Sequence, residues 1–186
     1  MNKTVSMKFL SYLLFLLIGV ALSFQAGTAL AAWEYIGWGH FTTSSIAWCH
    51  VGGDWYPNSQ AVSKWSSDTD LSLYNNCYSE KVTTSVYDFG PGTNNIAGMA
   101  YICSYPYCNN STAWNNNYSS CQARSNSRVV GSWTNTEKQF NASHELGHCW
   151  SLGHRTGIES DSVMRSGRLT NTNPNSTDES LVNARH

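Results

Sequence analysis

Charge is what this 186-residue chain has least of. Asp, Glu, Lys and Arg make up 12% of it, eleven basic side chains against twelve acidic, about half the usual share. No basic field exists to draw nucleic acid, and no run of like charge forms an interaction tail. Nucleic-acid binding is therefore not expected. No internal repeat and no linker-like stretch marks a domain boundary, and none of the six cysteines stands in a CxxC pair. Beyond residue 24 there is no apolar run long enough to cross a bilayer,.

What the chain does have is apolar and aromatic mass. Apolar residues reach 41% and aromatics 13%, with eight Trp and ten Tyr, enough for a sizeable core and too much for a disordered chain. Ser, Thr and Asn supply nearly a third of the residues, so the surface is polar but uncharged. Residues 1–31 read as a secretory signal peptide. Lys3 and Lys8 form the positive start, residues 9–24 are almost wholly apolar, and Ala29-Leu30-Ala31 offers the small-x-small cleavage pattern. The working domain is then residues 32–186, exported, free of the membrane after cleavage and expected to act as a monomer. In an oxidising compartment the six cysteines, Cys49, Cys77, Cys103, Cys108, Cys121 and Cys149, favour up to three disulfides with fifteen possible pairings,. Cys103 and Cys108 are spaced to close a small loop.

Residues 46–49 predict a short strand. Asn58 or Ser59 is placed to cap a helix in which Ala61, Val62 and Trp65 form one apolar face,. Residues 71–74, 83–87 and 96–102 predict further strands, and residues 128–130 a last short one. Residues 109–127, rich in Asn and Ser, read as a long surface loop. Thr134 and Glu137 stand at capping-box spacing ahead of a helix through Phe140, His144 and His148,, and residues 178–184 predict a terminal helix. Helix, strands, helix in a small domain predicts an α+β fold of three-layer α/β/α-like form.

The chemistry lies in His144-Glu145-Leu146-Gly147-His148-Cys149-Trp150-Ser151-Leu152-Gly153-His154. On a helix His144 and His148 differ by only ~40° in direction, so both imidazoles face one point, a pairing that suits Zn²⁺. Glu145, turned ~100° from His144, stands beside such a metal rather than on it, where it can take a proton from a water acidified by zinc. Were the helix to continue, His154 would lie ~9 Å beyond His148 along the axis, so the chain has to turn back before it. Gly153 can supply the positive φ of that turn. Three imidazoles then leave the open fourth position of a catalytic site.

This segment resembles the signature of the metzincin zinc metallopeptidases, HExxHxxGxxH followed by a Met-turn, and within that clan most closely the matrixins and their small bacterial relatives. The resemblance implies His144, His148 and His154 as metal ligands, Glu145 as general base, and Ser162-Val163-Met164 as the Met-turn with Met164 beneath the metal. It implies a mixed β-sheet with an N-terminal helix and a zinc-binding active-site helix, braced by disulfides. Gly98-Met99-Ala100-Tyr101 matches the cleft-edge strand on which substrate backbone adds,. The expected activity is a secreted zinc endopeptidase acting on protein or peptide.

Three departures stand out. Ser151 occupies the signature's glycine position, so either Ser151 takes the turn or the turn moves to Gly153; in the second case Asp161 or Glu159 stands near as a substitute ligand. Arg165-Ser166-Gly167-Arg168 follows Met164 where the clan carries a proline, so the pocket wall and side-chain preference do not carry over. The stretch from Ala32 to Pro57 is too short for a folded pro-domain, which makes Cys149 a disulfide or buried thiol rather than a metal switch. Calcium fits the resemblance, and Asp54, Asp68, Asp70 and Asp88 are available, but no EF-hand spacing occurs,. An alternative function is a secreted binding protein with non-catalytic zinc, using Trp33, Trp38, Trp55, Tyr105 and Tyr107. His40, His50 and His186 are expected to be ordinary surface or core histidines.

Overall fold

The computed structural model describes residues 35–52, 56–155 and 161–186. The expected signal peptide lies outside them, as do Trp33, Asp54, Trp55 and Glu159. The fold is α+β, and the described residues form six strands in one mixed sheet, five helices and three disulfides. Strands β1 (Ser45–Val51), β2 (Ser72–Asn75) and β3 (Val82–Tyr87) precede β4 (Gly98–Ser104), β5 (Tyr107–Cys108) and β6 (Ser120–Asn126). Their spatial order is β2-β1-β3-β6-β4-β5. The first four in that order run parallel, while β4 is antiparallel to both β6 and β5. β1 sits between two parallel neighbours, and residues 46–49 are buried without alternation, as expected of a strand covered on both faces.

Two expectations for the middle of the chain are corrected. Residues 109–127 are not one surface loop: helix α2 (Ser111–Trp114) is followed by β6, which lies inside the sheet between β3 and β4. β6 buries Cys121, Ala123 and Ser125 on alternate positions, but these are small side chains that leave no apolar run for the sequence to display. Residues 128–130 are not a strand either. They belong to the short helix α3 (Ser127–Val130), capped by the Asn126 side chain, which competes locally against the extended state that Val129-Val130 favours.

Helix α1 (Asn58–Asp68) buries Ala61, Val62 and Trp65 as its pattern predicts, but it starts after Pro57 without a side-chain cap. Helix α4 (Asn135–Cys149) carries the expected capping box: Thr134 accepts from the Glu137 amide and Glu137 reaches back to the Thr134 amide. The two helices pack on each other, and α4 also lies on β4 and β6. The Trp65 indole donates to the Ser143 carbonyl of α4 at 3.0 Å. Gly147 permits the close approach, because a Cβ there would strike the Met164 sulfur and crowd the Trp65 ring. Cys121–Cys149 ties the end of α4 to β6. Cys49–Cys77 and the expected Cys103–Cys108 loop complete the bracing. Helix α5 (Ser176–Asn183) begins with a second capping box, Asn175 with Asp178. Among the described residues no helix is long and apolar enough to cross a membrane.

Candidate metal centre

α4 delivers His144 and His148 to the same face, one turn apart, and their rings stand 4.7 Å apart, edge to face. The helix then ends in a tight C-terminal motif. The Leu152 amide donates to the Gly147 carbonyl at 3.0 Å and the Ser151 amide to the His148 carbonyl at 2.9 Å, the paired bonds of a Schellman ending. Such an ending places its C′ residue in the left-handed region, and that residue is Ser151, with φ of 78°. The turn therefore falls on Ser151, not on Gly153 as the glycine alone would suggest. A non-glycine residue there costs about 1 kcal/mol or more.

With the chain reversed, His154 returns to the helix. Its Nε2 lies 3.2 Å from Nε2 of His148 and 3.1 Å from Nε2 of His144. Each helix histidine has its tautomer set by the backbone. Nδ1 of His144 donates to the Val163 carbonyl at 2.8 Å, and Nδ1 of His148 donates to the Leu152 carbonyl at 2.7 Å. A proton on Nδ1 leaves the Nε2 lone pair free, and both lone pairs point at His154. Tetrahedral coordination with metal–nitrogen bonds of ~2.0–2.1 Å requires nitrogens about 3.3–3.4 Å apart, so the spacing and the second-partner hydrogen bonds fit a zinc-sized ion. Among the described residues these three form the one group of His, Cys, Asp or Glu side chains able to share a metal. Asp161 is not in that group; its carboxylate accepts from the Asn175 amide group instead.

Burial disfavours charge on these rings. It holds His144 down at about 4 and pushes His148 well below the ordinary histidine value, with the neighbouring imidazoles adding to the effect in both; burial lowers His154 as well. The metal-free rings are thus neutral near pH 7, the state a metal ligand needs. Glu145 is buried beside them, and desolvation pushes its carboxyl up to about 8. It lines the same groove as His144 and His154, at the point where β4 begins.

Residues 162–164, the expected Met-turn, lie against the helix that carries His144 and His148. Met164 is fully buried and touches the space over Gly147, and its carbonyl accepts from the Arg155 amide just after His154 at 2.9 Å. Asp178 anchors the turn from α5, accepting from Ser162 Oγ at 2.8 Å and from the Val163 amide at 3.1 Å. Val163 in turn holds His144. The sequence placed Asp178 only at the start of a helix. Its position in an Asn-x-x-Asp capping box was the available signal.

On one side of the histidines runs a groove lined by Ile36, Ile102, Asn109 and Trp114 together with Glu145, His148 and His154. On the other lies a groove of about 400 Å³ walled by Trp133, Phe140 and Val129. Arg168 forms its rim, paired with Glu137 at 2.6 Å and set 5.3 Å from the Trp133 ring. β4 borders both. It pairs with β6 along Gly98–Cys103, whereas β5 covers only Cys103 and Ser104. Residues 98–101 thus have no strand on their outer side among the described residues. Of the residues considered for calcium, Asp88 is engaged with Arg128 at 2.7 Å. Trp38, Tyr105 and Tyr107 are exposed, and His50 packs within the fold, its Nδ1 3.1 Å from the Thr84 carbonyl.

No family model matches the chain, and no curated protein matches its sequence. Among solved structures it is similar to a structure of myroilysin, with TM-score 0.52 and 13% identity over 79% of this chain and 82% of that one. A second structure of myroilysin gives TM-score 0.49 at 14% identity, over 77% and 83% of the two chains. At this identity the likeness is one of fold.

Proposed function

We propose that the chain is a secreted zinc endopeptidase of metzincin type, residues 1–31 being its export signal and residues 32–186 its catalytic domain. The observation that carries the reading is the convergence of three Nε2 atoms, two with fixed tautomers, beside a buried carboxylate and an unpaired strand edge. The fold shared with the metallopeptidase myroilysin agrees with it. Three disulfides among the described residues suit an extracellular protein,.

His144, His148 and His154 are the ligands in this reading. Bound there, zinc supplies Lewis acidity, acidifying water and polarising a carbonyl. The substrate backbone adds to the outer edge of residues 98–101 as an extra strand, which lays the scissile bond across Glu145. Glu145 takes the proton of the attacking water as its oxygen joins the carbonyl carbon, and returns a proton to the nitrogen as the C–N bond breaks. Met164 supports the ligand bed from below.

Zinc content of the purified protein, measured with casein hydrolysis in the presence and absence of 1,10-phenanthroline, tests this. About one zinc per chain with chelator-sensitive cleavage is the expected result, and Glu145→Ala is expected to keep the metal while losing hydrolysis. A fully active Glu145→Ala protein sinks the mechanism. Exposed Trp38, Tyr105 and Tyr107 favour the second reading, a binding protein with non-catalytic zinc. Zinc retained without hydrolysis of any protein substrate would decide for it.

A further inference from the structure

We propose that Arg185 is a positioning residue for the metal centre: it holds Ser151 in the left-handed turn that aims His148 and His154 at one point. The proposal rests on reading the three histidines as a zinc site.

A Schellman ending selects glycine at C′ because a Cβ is unwelcome at positive φ. Ser151 stands there with a side chain that has no freedom to spare: it is completely buried. Its hydroxyl is gripped by Arg185, 34 residues further along the chain. The same nitrogen, Nη1, also donates to the Gly37 carbonyl at 2.8 Å and the Gly39 carbonyl at 3.2 Å. The guanidinium carbon lies 3.4 Å from the centre of the Tyr35 ring. The segment so anchored is itself laid on the turn. The Ile36 amide donates to the Ser151 carbonyl at 2.9 Å, and Tyr35 bridges to Leu152. Ser151 is thus held from its hydroxyl and from its carbonyl.

Two of the ligands, one on each side of the turn, depend on that grip. The Leu152 carbonyl, one residue on, fixes the tautomer and ring of His148. His154 follows two residues later and owes its return to the helix to the same reversal. A rotation at Ser151 moves two of the three nitrogens together. Arg185 touches neither ligand; it acts through Ser151. In the glycine-bearing form of the signature the turn needs no such anchor, so the arginine and the serine form a pair.

The experiment measures zinc affinity by competition with a chromophoric chelator, together with the visible spectrum of the Co²⁺-substituted protein. Arg185→Met is expected to weaken zinc by about tenfold or more, the usual effect of losing an outer partner of a ligand, and to change the Co²⁺ bands. In a Ser151→Gly background the same Arg185→Met step is expected to change affinity by no more than about twofold, because coupled sites are non-additive. Equal losses in the two backgrounds, or no loss in either, overturn the proposal. A folding defect caused by Arg185→Met would weaken zinc equally in both backgrounds, so the paired measurement separates loss of folding from loss of positioning. Wild-type protein that takes up no zinc removes the zinc reading itself, a result distinct from wild-type protein that binds zinc regardless of residue 185.

Discussion

Gly98 on β4 and Glu145 on α4 occupy adjoining space so closely that a Cβ at residue 98 would fall on the Glu145 carboxylate. The first residue of the edge strand thus sets where the proposed base stands. Gly98→Ala is expected to leave the fold and the zinc content in place and to lower kcat/KM about a hundredfold, since a displacement near 1 Å at the reacting groups is enough for that. Peptide hydrolysis alongside metal analysis checks it. Unchanged kcat/KM would separate Gly98 from Glu145.

Gly147→Ala meets a different neighbour, the Met164 sulfur. Overpacking of that kind costs about 1–3 kcal/mol, read as a lower Tm. In a Met164→Ala background the obstacle is gone, so the two changes together are expected to cost less than their sum. Strict additivity would mean that the helix and the turn do not bear on each other at this point.

The metal-free protein is expected to be most stable near pH 6.5. The folded histidines titrate below their unfolded range, His144 at about 4. Between pH 4.5 and 6.5 the unfolded chain therefore holds more protons, and stability rises with pH. Glu145 behaves oppositely: its folded value of about 8 lies above its unfolded one. From about pH 4.5 to 8 the fold holds this extra proton, against the histidine effect; above pH 6.5, where the histidines no longer contribute, stability falls by about 2 kcal/mol up to pH 8. Denaturant melts of the apo protein across this range check both limbs, and in Glu145→Gln the alkaline fall is expected to vanish.

Asp178→Ala removes the acceptor for Ser162 and Val163 and leaves buried donors unsatisfied. Each such donor costs about 1–3 kcal/mol. Because Val163 holds His144, zinc affinity is expected to fall together with Tm. Calorimetry with chelator competition reads the two effects, and a drop in Tm alone would confine Asp178 to the fold.

Cys121–Cys149 closes a loop spanning 28 residues, worth about 3.5 kcal/mol in chain entropy. Replacing both cysteines by alanine is expected to lower Tm substantially while the helix keeps its histidine spacing. Thermal melts and zinc analysis of the double variant measure this.

The ligand helix was legible because its signals are local: a capping box at Thr134 and Glu137, and two histidines one turn apart. The approach of His154 follows from reach alone, whereas the sequence leaves the turn open between Ser151 and Gly153. A buried serine at positive φ is held by Arg185 and by the Ile36 amide, partners that no spacing announces. β6 escaped for a related reason. Its buried face is Cys121, Ala123 and Ser125, too small to read as a core strand, and its place in the sheet depends on pairings with β3 and β4. The roles of Gly98 and Gly147 emerge only when helix and sheet are brought together, since a glycine in sequence does not say what stands opposite it.

β6 comes late in the chain yet fills the middle of the sheet, and this constrains the order of assembly. As synthesis proceeds, β1, α1, β2 and β3 can pair among themselves and close Cys49–Cys77. The inner edge of β3 then waits, unpaired, for residues 120–126. Such an edge is a template for pairing with another chain, and its partner is distant in sequence, which slows closure. α4 follows β6, and Cys121–Cys149 cannot form before both exist. The histidine cluster is therefore among the last features the nascent chain can build, so ion capture belongs to the end of folding rather than its beginning.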